Sequence, residues 1–288
     1  MAEQFFEILA PAYWTVPVVF NSPHSGSLLP NAFLQNSRLT AQALRQSEDC
    51  FVDELFGACQ KLGAPMLRAL ISRAYIDLNR EPFELDARMF METLPGHMNL
   101  SSPRVAAGLG TIPKLVAEGE EIYRGKIHLS DALQRIEHLY HPYHRTLTAL
   151  MNECFNATGF ALLIDCHSMP ASSAKTPHMP IADIVLGDRF GAACSGDLAD
   201  VVEVFLKNAG FSVQRNRPYA GGFITETHGT PRHNRHALQI EINRSLYMDE
   251  KTQIKNASFT QVQRQLSSMI ESLIAYLPQS YDQREAAE

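Results

Sequence analysis

Four short, largely apolar runs constrain most strongly what this chain can fold into: Val18–Asn21 (VVFN), Phe160–Ile164 (FALLI), Asp183–Gly187 (DIVLG) and Leu238–Ile242 (LQIEI). Runs of this kind suit central strands of a sheet covered on both faces, where neither face has to meet water. Between them lie stretches with helical spacing, at Thr40–Leu62, onward from Ser130, at Ser195–Gly210 and at Thr260–Leu277. Strands alternating with helices predict an α/β sandwich with a mainly parallel sheet. Further strands are expected at Pro65–Ile71, Ala74–Leu78 and Phe211–Arg215. Residues 81–128, interrupted by Pro82, Pro95, Pro103 and Pro113, read as irregular structure. Ser130 is the expected N-cap of the following helix and Pro142 its expected kink.

At 288 residues the length would allow two domains, but no linker-like break appears, so residues 1–288 are expected to form a single domain. Hydrophobic residues make up 45% and charged residues 19%, enough for a sizeable core. A net charge of −6 argues against nucleic acid or an anionic membrane surface as the main partner. The five cysteines are scattered and contain no C-x-x-C pair, which predicts neither a disulfide framework nor a thiolate zinc site and suits the cytoplasm. The acidic N-terminal stretch does not resemble a secretory leader, and no 18-residue apolar run predicts a membrane span.

Chemistry-bearing residues collect at the ends of the predicted strands. His24 follows the first run in NSPHSG, held between Pro23 and Gly26, and His167 follows the second in IDCHSM. Asp49 lies on the predicted helix after the first strand, on one face with Asp53. Two imidazoles and one carboxylate are a common catalytic zinc set, leaving a fourth position for water whose pKa falls to about 7. Glu241, between Ile240 and Ile242, is placed to accept and return a proton. Asp165 either orients an imidazole or caps a turn. His138, His141 and His144 read as exposed or capping residues, His233 and His236 as solvated, and Cys166 as packing.

In order along the chain, PHSG, an acidic D-x-x-x-D stretch, SRAYIDLNR, a strand ending DCHS and QIEINRSLYMDE together resemble the N-formylglutamate amidohydrolase family, from about Val16 to Glu250. The resemblance implies a phosphorylase/hydrolase-like fold, a three-layer sandwich around a mainly parallel mixed sheet. It also implies one zinc ion per chain and hydrolysis of a small N-acyl amino acid, N-formyl-L-glutamate above all, in amino-acid and histidine breakdown. His24, Asp49 and His167 match its metal ligands and Glu241 its acid/base, with Glu48 competing with Asp49 for the third ligand position.

A substrate carrying carboxylates needs cations, and Arg73, Arg80, Arg217 and Arg244 all stand beside motif residues, with Asn79 and Tyr219 as further donors. Each arginine could equally form a surface ion pair or a tie to Asp77. His228, in a Gly-rich loop, either stabilises an oxyanion or is a plain loop residue. A different N-acyl amino acid or peptide amide, or a non-catalytic binding role on the same fold, are the competing expectations.

Overall fold

The computed structural model describes residues 4–117, 119–173 and 182–285. Seven strands form one sheet: β1 (Phe6–Leu9), β2 (Val18–Ser22), β3 (Met66–Ala69), β4 (Ala161–Met169), β5 (Ile184–Gly187), β6 (Val213–Arg215) and β7 (Arg235–Asn243). Their spatial order is β1-β3-β2-β4-β7-β5-β6. The pairs β2–β3, β2–β4, β4–β7 and β5–β6 are parallel, whereas β5 runs antiparallel to β7. This is the mixed, mostly parallel α/β sheet flanked by helices that the alternating runs predict. Every residue of β2, β4 and β5 is buried, as strands covered on both faces must be.

Contacts group the chain into two compact units. The second holds Ile8–Ser22, Phe51–Arg68 and the chain from Leu147 onward, and so most of the sheet. Its core packs Val18, Phe20, Leu163, Ile240 and Leu266, all without solvent exposure. The helix Gly196–Asn208 is closed by Gly210 at φ +98°, a left-handed conformation that costs a glycine nothing. The helix Phe259–Glu285 completes this unit.

The first unit is built mainly from Pro23–Cys50 and Ala69–Thr146. The described residues of 81–128 are irregular as expected, with short helical turns at Ala87–Met89 and Pro103–Ala106. The long helix starts at Leu129 with His128, not Ser130, as its N-cap. Its third turn widens into a π-helix over Ile136–Tyr140 before continuing through His141–Thr158. Pro142 sits just past this wide turn; it has no N–H for the regular ladder, and the π-turn absorbs the mismatch.

Two predicted elements differ. Ala74–Leu78 is not a strand but a turn, tied by the Ser72 carbonyl accepting from the Tyr75 and Ile76 amides. The predicted helix over Thr40–Leu62 is broken into Ala41–Leu44, Val52–Leu55 and Ala58–Lys61. Glu48 is extended and Phe51 takes a left-handed φ of 65°. The apolar spacing that suggested one helix is met by three short ones, so Asp49 and Asp53 do not share a helix face. Asp53 pairs with Arg68, and Asp49 lies in the break, its amide donating to the His24 carbonyl at 3.0 Å.

Candidate active site

The turn after β2 presents His24 in the first unit. Gly26 is required there by close packing rather than by an unusual φ. A Cβ at this position would overlap the Leu70 carbonyl carbon and the Ile71 carbonyl oxygen. His24 is 2% exposed, with its Nε2 2.7 Å from Asp77 Oδ1, which leaves Nδ1 turned toward Asp49 Oδ2 at 3.5 Å. Asp77 also accepts from the Asn79 amide and from Arg73 Nη2 at 2.7 Å. Burial acts to raise the Asp77 carboxyl, but Arg73, Arg80 and His24 outweigh it and hold the group well below the usual carboxylate range. A charged carboxylate behind an imidazole fixes its tautomer and its direction. Asp77 is the main site residue that sequence reasoning left as a mere structural tie; its one signal was an acid inside the apolar YIDL run.

In the second unit, polar residues form two rungs across the sheet. The register pairs Asn21 with Asp165 and Asp165 with Gln239, and one rung further it pairs His167 with Glu241. Paired residues on parallel strands point to the same face, about 4.8 Å apart. Along β4, Asp165 Oδ2 lies 3.0 Å from His167 Nε2, and Asn21 Nδ2 donates to Asp165 Oδ1 at 2.7 Å. Asp165 therefore orients an imidazole rather than capping a turn. Along β7, Gln239 Nε2 donates to Glu241 Oε1 at 2.9 Å. His167 lies inside β4, which runs on to Met169, rather than beyond the strand end.

His228 is not in a loop but closes the short helix Phe223–His228, which packs on β4 and β7. Burial pushes its imidazole down to about 4, so it is neutral at pH 7, and its Nε2 has no hydrogen-bond partner among the described residues. Arg244 is buried just past β7, donating from Nε to Ser168 Oγ at 3.1 Å. Arg80 donates to the Leu109 and Asn79 carbonyls. Arg217 is exposed and has no ion-pair partner among the described residues, and Tyr219 packs against Met169, Ala182 and Val185. His144 and His236 are not solvated: one holds the Leu78 carbonyl and stacks on Tyr140, and the other is 2% exposed and accepts from the Ser195 amide.

His24, Asp49 and His167 each offer one buried donor atom, and these atoms all lie within 4.8 Å of one another. Two nitrogens and a carboxylate oxygen are the donor set of a zinc or similar divalent site, so the trio could hold such an ion. Glu48, the competing carboxylate, is instead bonded to Arg45 Nε at 2.9 Å, and burial raises its pKa.

This fold, with a buried histidine–carboxylate set beside a glutamate on its central strands, defines an α/β protein of hydrolase type. Residues 16–248 match the family N-formylglutamate amidohydrolase, and the chain belongs to that family. It is 29% identical over 283 residues to the N-formylglutamate deformylase of Pseudomonas aeruginosa, covering 96% of this chain and 99% of that one. It is likewise 29% identical over 241 residues to the enzyme of that name from Pseudomonas putida, covering 82% and 83%. The crystal structure of N-formylglutamate amidohydrolase from Ralstonia eutropha superimposes with a TM-score of 0.90 at 33% identity, over 96% of this chain and 99% of that one.

Proposed function

We propose that the chain, acting as a single amidohydrolase domain over residues 1–288, hydrolyses N-formyl-L-glutamate to formate and L-glutamate with one divalent metal ion, zinc, per chain. The substrate is taken from the relatives that carry this name over nearly the whole chain. The observation that carries the chemistry is the rung joining His167 and Glu241, which sets a donor of the metal trio and a carboxylate side by side on one sheet face.

His24, Asp49 and His167 would hold the ion, which when bound supplies Lewis-acid activation of water and of the formyl carbonyl. Asp77 and Asp165 hold the two imidazoles in place. Glu241 accepts the proton of the attacking water on its carboxylate and returns it to the leaving amine nitrogen, so the amide departs as a neutral amine. The neutral His228 donates an N–H to the carbonyl oxygen as negative charge develops there. Arg217 binds a glutamate carboxylate through its free fork, and Tyr219 stands two residues on. Arg244 holds the second carboxylate; in the first unit Arg73 and Arg80 are committed to Asp77, and Asn79 remains a further donor to substrate.

The free, buried cysteines agree with a reducing compartment, the cytoplasm, and no helix among the described residues is long and apolar enough to cross a membrane. The decisive variant is Glu241→Ala. It should keep about one metal ion per chain by elemental analysis while losing hydrolysis on the order of a thousandfold or more. Full activity in that variant would reject the mechanism.

A further inference from the structure

The first unit contains a cavity of about 410 Å³ that none of the residues assigned above to the metal, the proton transfer or the substrate lines. Phe33, Tyr75, Ile127 and Leu139 form apolar walls, and Asp131 and Arg135 bring charge. Arg135 is 8% exposed, yet no carboxylate among the described residues pairs with it. Both of its hydrogen bonds leave from Nη1, to the Tyr75 carbonyl at 3.0 Å and the Tyr123 hydroxyl at 2.8 Å. Its guanidinium carbon stacks 4.0 Å from the Tyr75 ring centroid, which fixes the plane. Its Nε is buried without a hydrogen-bond partner among the described residues. A buried donor left unpaired is rare and costly, and the Nε–Nη2 edge is the one that grips a carboxylate through two parallel bonds.

Asp131 stands one turn earlier on the same helix, exposed and lining the same cavity. Residues four apart on a helix ordinarily pair when oppositely charged, but no ion pair joins these two. An anion-binding edge and a carboxylate are thus held apart beside aromatic walls, a pattern complementary to a zwitterion with an apolar body. The volume falls in the range of about 300–1,000 Å³ usual for small-molecule sites.

We infer that this cavity binds a free α-amino acid with a bulky apolar side chain. The α-carboxylate lies on the Nε–Nη2 edge of Arg135, the α-ammonium faces Asp131, and the side chain packs against Phe33, Tyr75 and Leu139. L-Phenylalanine is the probe, with 3-phenylpropionate lacking the ammonium and 2-phenylethylamine lacking the carboxylate. Calorimetric titration of the full, metal-loaded chain should show saturable binding of one L-phenylalanine per chain, with both analogues at least tenfold weaker. Asp131→Asn, at an exposed position that tolerates change, should weaken L-phenylalanine at least tenfold and leave 3-phenylpropionate unaffected. Arg135→Lys, which keeps the charge but loses the fork, should weaken both. Absence of saturable binding, or binding that Asp131→Asn leaves unchanged, would overturn the assignment, as would displacement of the probe by L-glutamate.

Discussion

His228 carries a testable consequence of burial. Its imidazole is pushed from 6.5 down to about 4. Between those values the unfolded chain binds a proton that the folded chain refuses. The contribution of this residue is therefore complete above about pH 6.5 and is lost as the pH falls toward 4, by roughly 3 kcal/mol in all. Urea unfolding should show the parent losing more stability than His228→Gln between pH 7 and pH 4.5; equal losses would mean that His228 is not held neutral. Asp77 acts at the same scale. In Asp77→Asn the group 2.7 Å from His24 Nε2 is no longer a carboxylate, and the imidazole loses its charged anchor. Zinc affinity, read by competition with a chromogenic chelator, should fall about 10- to 100-fold with the fold intact. Unchanged affinity would leave Asp77 a purely structural partner of Arg73 and Arg80.

At the scale of elements, the break around Glu48–Phe51 and the turn at Pro23–Gly26 do the positioning. Gly26 lies so close to the Leu70–Ile71 backbone that Gly26→Ala must displace one chain segment from the other. It should lower stability by roughly 2 kcal/mol, a thermal shift easily measured, and loosen the metal with it, because His24 is two residues away. A variant as stable as the parent would show that the turn yields freely. The strands β2, β4 and β5 were legible because burial on both faces leaves a continuous apolar signature, and β7 because Leu238, Ile240 and Ile242 keep it around two polar residues. His24, His167 and Glu241 stood out as candidates because a polar residue at such a run is conspicuous. Asp49 was assigned to the wrong element, since three short helices share the apolar spacing of one long one. Asp77 and the helical setting of His228 escaped notice because their roles rest on partners distant in sequence or on burial, neither of which periodicity records.

For the whole molecule, a bound ion stabilises the folded chain by mass action, because the unfolded chain presents no preformed donor set. Dialysis against a strong chelator should abolish activity and lower the melting temperature, and one equivalent of zinc should restore both. Retention of both after complete metal removal would exclude a resident metal. The central claim is tested most directly by measuring formate released from N-formyl-L-glutamate by the purified, zinc-loaded protein. One formate per L-glutamate, formed catalytically and ceasing on chelation, is the predicted result. Binding of N-formyl-L-glutamate without release of formate would contradict the account and leave a binding protein on a hydrolase fold.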